Sequence, residues 1–306
     1  MTRAVFHLGR SAQMKSARLT FFLRFGSTLA LWAIILAAVF SGREWAFFCV
    51  IMGMALASLR EYFHMLDKDG IPNFQLTAII CAAVFLCGSF YYSSVHGSVR
   101  ALEFELAILV LFLIVMFARQ MFVSIHDREP LQTMAYTLFG LLWIPWMFNF
   151  ITNILFLAPR TADGAPTGQY YVLFLVAVTK FSDMGAYVFG SLFGRHPFVP
   201  HISPKKTWEG FVGALFASLL ASFGLAWLIP EKLSRFGTLD FAVLGLGLGF
   251  AAVIGDLAES IVKRSTQIKD SGGVLPGIGG TLDLIDSLLF TAPLLYFYMR
   301  LVLGIA

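Results

Sequence analysis

Apolar residues run along this chain in long unbroken blocks, with short polar stretches between them, and show neither strict alternation nor a one-sided helical stripe. A helix that crosses the hydrocarbon core of a bilayer needs about 20 mostly apolar residues, and its backbone groups must be satisfied within the segment. Blocks of that length therefore predict about nine transmembrane helices, near 25–42, 45–64, 75–93, 104–123, 133–158, 169–190, 210–229, 239–258 and 285–304. Two boundaries are soft. The 45–64 block ends in the polar "REYFH", and 133–158 contains Pro145, which can kink a helix without stopping it.

Composition agrees with the pattern. The 306 residues are 58% hydrophobic and 13% charged, against roughly 25% charged for an average soluble domain. The expected fold class is an all-α polytopic membrane protein. Cys49, Cys81 and Cys87 all lie in apolar runs without paired spacing, so they read as small packing residues and not as a disulfide or zinc frame. The basic start shows no small-residue cleavage site after its first apolar run, so that run reads as an uncleaved anchor.

Loop cations test the helix count, because Lys and Arg accumulate on the cytoplasmic side. With the N-terminus in the cytoplasm, the inner segments hold fifteen Lys and Arg and the outer loops five, Lys180 and Arg300 falling within or near helices. The net charge of +4 is thus explained by membrane topology and implies no nucleic acid. Both long polar connections, 191–209 and 259–284, fall on the cytoplasmic side. Polar content is concentrated in the last four spans, which divides the chain into an N-terminal transmembrane scaffold, 1–165, and a C-terminal catalytic half, 166–306.

Charges within or beside spans are costly, so each is a candidate functional group. Lys180 and Asp183 in "TKFSDMGAYVFGSLFGR" are placed to pair at i,i+3, which is also what a purely structural ion pair would look like. In "HISPKKTWEG", Pro204 makes Ser203 extended, Lys205 and Lys206 present adjacent ammonium groups, and Thr207 can cap the helix that follows. A cationic loop feeding a helix N-terminus suits phosphate, although the same charges could be topogenic only. Further on, Asp256, Glu259, Ser260 and Lys263 fall at i, i+3, i+4 and i+7 and share one helix face. Two carboxylates and a hydroxyl are hard oxygen donors of the kind Mg²⁺ takes while also bonding phosphates. Lys263, Arg264 and Lys269 add charge for phosphate oxygens. A glycine-rich run through Gly279 and Gly280 follows, and Asp283 and Asp286 share a face where the last helix begins. The run lacks the GxxxxGK[ST] order of a P-loop, and none of the six histidines stands at metal-ligand spacing. Taken together, these acids, cations and glycines are the inventory for phosphoryl or nucleotidyl transfer with metal ions.

At these residues the chain resembles the phosphatidate cytidylyltransferase family, the CDP-diacylglycerol synthases. The family signature is matched by Ser260, Lys263, Arg264, Lys269, Asp270, Pro276, Gly277, Gly279, Gly280, Asp283 and Asp286, with upstream blocks at "SDMGAYVFGSLFGR", "ISPKKTWEG" and "GDLAES". Two positions depart from it: Ile278 replaces a histidine and Leu284 an arginine. The resemblance covers roughly 180–290 and implies transfer of CMP from CTP to phosphatidic acid, giving CDP-diacylglycerol and pyrophosphate. It implies Asp256 and Asp270 as the leading Mg²⁺ ligands, with Asp283 and Asp286 beside them, and Lys263, Arg264 and Lys269 as catalytic cations. Asp183, Ser203, Lys205, Lys206, Glu259, Ser260, Gly279 and Gly280 become substrate contacts. Expected partners are CTP and phosphatidic acid in the inner membrane, with the site facing the cytoplasm; a homodimer and a second, monovalent cation stay open. The competing readings are a CTP-dependent polyprenol kinase, a catalytically silent paralogue and, from another class, a transporter, whose charges would be spread through the membrane midplane.

Overall fold

The computed structural model of the chain describes residues 34–123, 129–157, 167–266 and 280–305. Among these, eight helices are long and apolar enough to cross a membrane. They are α1 (Glu44–Lys68), α2 (Gln75–His96), α3 (Ser98–Gln120), α4 (Glu129–Leu157), α5 (Gln169–Phe193), α6 (Trp208–Leu228), α7 (Thr238–Ser265) and α8 (Leu282–Val302). They correspond to the second to ninth expected spans; of the first, only the end is described, and residues 34–40 are helical. The chain is thus an all-α polytopic membrane protein. A small antiparallel hairpin, β1 (Pro197–Val199) and β2 (Ser203–Thr207), joins α5 to α6.

Local chemistry explains several boundaries. Pro145 does not break α4, because residues Leu142–Trp146 form a π turn around it and the helix continues to Leu157. Ser203 is extended ahead of Pro204, and the Thr207 hydroxyl accepts from the Gly210 N–H at 3.2 Å, capping α6 as its sequence predicts. Helix α7 outruns its apolar block by about two turns. Its extension carries the Glu259–Lys263 pair at i,i+4, 3.0 Å apart, and the Thr266 N–H closes it on the Val262 carbonyl. On α3, Leu106, Val110, Ile114 and Phe117 stand exposed, as side chains that face lipid do.

Small residues let the C-terminal helices approach closely. Gly185 on α5 lies against Gly213 and Ala217 of α6. Gly255 on α7 meets α8 backbone to backbone: a Cβ there would stand 2.6 Å from the Asp286 carbonyl oxygen and 2.8 Å from the Ser287 Cα. This crossing places Asp256, the next residue, beside Asp286. Neither neighbour is a flexible side-chain tip, so Gly255→Ala is expected to cost about 1–3 kcal/mol through overpacking. Gly53→Ala, in open space on α1, is expected to cost nothing. Thermal unfolding of the two variants in one detergent checks the contrast.

Candidate active site at the crossing of α5, α7 and α8

Four segments deliver charge to one place. From α5 come Lys180 and Asp183, whose Nζ and Oδ2 are 2.9 Å apart. Hairpin strand β2 brings Lys206, 2.8 Å from Asp256 of α7. Two turns further along α7, Lys263 pairs with Glu259 at 3.0 Å and also engages Asp283 of α8. The second Asp283 oxygen accepts from the Gly280 N–H at 2.9 Å. Also on α8, Asp286 accepts from its neighbour's backbone N–H (Ser287) at 2.6 Å. The Ser287 hydroxyl lies 3.1 and 3.3 Å from the Asp183 oxygens and 3.1 Å from Asp286, so its one proton bridges two acids contributed by α5 and α8.

The acids at the centre form a donor set. Asp256, Glu259 and Asp286 each turn one carboxylate oxygen to a common space, all within 4.8 Å of one another, with Glu259 and Asp286 buried. Five carboxylates, Asp183, Asp256, Glu259, Asp283 and Asp286, face three paired ammonium groups, Lys180, Lys206 and Lys263. Buried like charges held this close call for further positive charge, and hard carboxylate oxygens suit a divalent cation that completes its shell with water or phosphate oxygens. These residues therefore fit a metal ion.

A pocket of about 400 Å³, with charged side chains set in a largely apolar wall, opens beside the cluster. Asp183, Lys205, Lys206 and Asp256 stand in its wall, with Tyr187 and Phe198 among the aromatic lining. The hairpin that presents the two lysines is braced at its base, where Glu209 accepts from the backbone N–H groups of Arg195 at 3.1 Å and His196 at 3.3 Å. Arg264 Nε donates to the Ile202 carbonyl at 3.3 Å, tying the end of α7 to the hairpin turn. Ser203 stands in β2 opposite Val199, and Ser260 is half-buried on α7. Asp270, Lys269, Gly279 and Ile278 lie outside the described residues. Leu284 lines an apolar pocket in company with Lys180.

Two polar features of the N-terminal spans escape a linear reading. Glu61 of α1, 6% exposed, accepts from the backbone N–H groups of Thr281 at 2.8 Å and Leu282 at 2.9 Å, one with each carboxylate oxygen. It caps α8 from 220 residues away and so fixes the turn that carries Asp283 and Asp286. Its position in "REYFH" reads as an ordinary helix-end charge. Glu105 of α3, fully buried, accepts from Ser89 at 2.7 Å, Asn149 at 2.6 Å and Asn153 at 3.0 Å, joining α2, α3 and α4. The Asn149 and Asn153 spacing of i,i+4 within an apolar block was the available signal.

Fold and site together define a polytopic membrane protein with a lysine-ringed carboxylate cluster at one end of its C-terminal helices. Residues 22–302 match the family model described as the Cytidylyltransferase family. The chain belongs to that family, whose members are nucleotidyltransferases. It is 32% identical to phosphatidate cytidylyltransferase 5, chloroplastic, of Arabidopsis thaliana, over 95% of this chain and 73% of the relative. It is 30% identical to the Escherichia coli protein YnbB, over 88% and 85% of the two chains, and 37% identical to the phosphatidate cytidylyltransferase of Mycobacterium bovis, over 53% and 49%.

Removing the Glu61 carboxylate would leave two buried N–H groups without acceptors. Glu61→Ala is therefore expected to destabilise by about 1–3 kcal/mol. Glu61→Gln, which keeps one acceptor oxygen, should fall between it and the parent. Denaturation midpoints in detergent measure the order.

Proposed function

We propose that the chain is an integral-membrane cytidylyltransferase that moves CMP from CTP to phosphatidic acid, releasing pyrophosphate and leaving CDP-diacylglycerol for phospholipid synthesis. The observation that carries this reading is the group of Asp256, Glu259 and Asp286 oxygens within 4.8 Å of one another, beside lysines from three segments. Family membership and the names of two of the relatives support it.

In the reaction, an oxygen of the lipid phosphate forms a bond to the α-phosphorus of CTP, and the bond from that phosphorus to the β-bridging oxygen breaks. The nucleophile is already an anion, so no base has to take a proton from it. The residues hold two negative substrates in line and offset their repulsion. Lys205 and Lys206 sit on the hairpin in the wall of the pocket beside the cluster, suited to the CTP phosphates. Lys263, held by Glu259 and Asp283, and Arg264 at the end of α7 would add positive charge for the phosphate oxygens. Asp256, Glu259 and Asp286 would hold Mg²⁺, which when bound supplies neutralising charge at the phosphate oxygens. The distribution of loop lysines and arginines supports a site at the cytoplasmic face of the inner membrane.

The test is pyrophosphate release by the purified protein in detergent with Mg²⁺, CTP and phosphatidic acid. Release that needs all three is expected, and Asp256→Asn should lower the rate by roughly 10²–10³ while the protein stays folded. Release of CDP in place of pyrophosphate would mark a lipid kinase instead.

A further inference from the structure

The charged cluster is bordered by a second cavity of opposite character. It encloses about 130 Å³ between the N-terminal helices and the C-terminal ones, with walls from α1 (Val50, Met54), α4 (Ile151), α5 (Val176) and α8 (Leu284). Among the described residues, every side chain in its lining is apolar except Lys180. That ammonium is bonded to Asp183 at 2.9 Å, and Asp183 stands in the wall of the pocket that also contains Lys205, Lys206 and Asp256. One ion pair at i,i+3 on α5 therefore links the apolar cavity to the pocket that carries the charged side chains.

This juxtaposition describes an amphiphile with one negative charge centre. We propose that the apolar cavity takes a hydrocarbon chain of the lipid acceptor, with Lys180 meeting the phosphate where chain and headgroup join. The proposal rests on the reading of the pocket with the charged side chains as the site of nucleotide transfer. An ammonium at the boundary of an apolar cavity complements a phosphate attached to a hydrocarbon tail, whereas a soluble anion would gain nothing from the apolar walls. Leu284 stands where the resembled signature carries arginine, and its side chain keeps that wall apolar, with Lys180 the one cation among the described lining residues. The N-terminal helices acquire a part in substrate selection, since Val50, Met54 and Ile151 would touch the chain of the lipid.

The test uses phosphatidic acid carrying a diazirine in one acyl chain, photolysed with the full-length protein in detergent and mapped by peptide mass spectrometry. Adducts on the segments bearing Met54, Ile151 and Val176 are expected. Val50→Trp and Met54→Trp, which fill the cavity from its half-buried α1 side, should each lower that labelling about tenfold, since excluding two methylenes already costs this much affinity. Lys180→Met should weaken labelling by the phosphatidic acid probe and spare labelling by a diacylglycerol probe without the phosphate. Adducts confined to outward-facing residues such as Val110 and Phe117, as would follow if detergent or another part of the chain fills the cavity, would overturn the proposal from the parent protein alone. Pyrophosphate release without cavity adducts would sink this inference and leave the transfer reading standing. Cavity adducts without any CMP transfer would do the reverse.

Discussion

A carboxylate or ammonium in hydrocarbon has to be answered by another group, and the C-terminal half of this molecule is organised around that requirement. Removing one partner of a buried pair typically costs about 3–5 kcal/mol, because the other is left uncompensated, and of the pairs here Lys263–Glu259 is the one nearest that limit. Lys180 is answered within α5 by Asp183, but Lys206 finds Asp256 only through the hairpin, and Lys263 reaches both its own helix and α8. The cluster thus exists only if α5, α7, α8 and the hairpin come together, so the charge that makes the site also fixes how these elements meet. Among the described residues the cluster brings five carboxyl groups to three ammonium groups, and a metal ion held by the acids would offset their crowding.

Close backbone packing supplies the rest. Because Gly255 has no side chain, α7 can lie on the Asp286–Ser287 backbone, and the two acids from different helices then share one space. Glu61 holds the first turn of α8 by its N–H groups, which gives the nominal scaffold a direct hold on the segment that presents Asp283 and Asp286. The acids and lysines of the cluster come from the later helices, while the earlier ones cap α8 and share in the wall of the apolar cavity.

Much of this was legible in the sequence because it depends on residues close together in the chain. Apolar block length gave the spans, Pro204 the extended Ser203, and the i, i+3, i+4, i+7 spacing the face shared by Asp256, Glu259 and Lys263. Contacts set by how helices cross were not legible. Nothing local to Glu61 points to Thr281, and nothing in the spacing of Asp283 and Asp286 separates the acid that Lys263 engages from the one that joins Asp256 and Glu259. The Glu105 network was legible only in part: Asn149 and Asn153 share a face at i,i+4, but their meeting with Glu105 and Ser89 is set by how three helices cross.

The central claim is that the cluster directs attack at the α-phosphorus of the nucleotide. The most direct measurement follows two labels: CTP carrying ³²P at the α or at the γ position is incubated with the purified protein, Mg²⁺ and phosphatidic acid, and the lipid is extracted. The account predicts that the α label enters the lipid and the γ label leaves in pyrophosphate. Transfer of the γ label to the lipid, or retention of both labels in the nucleotide by folded protein, would contradict it.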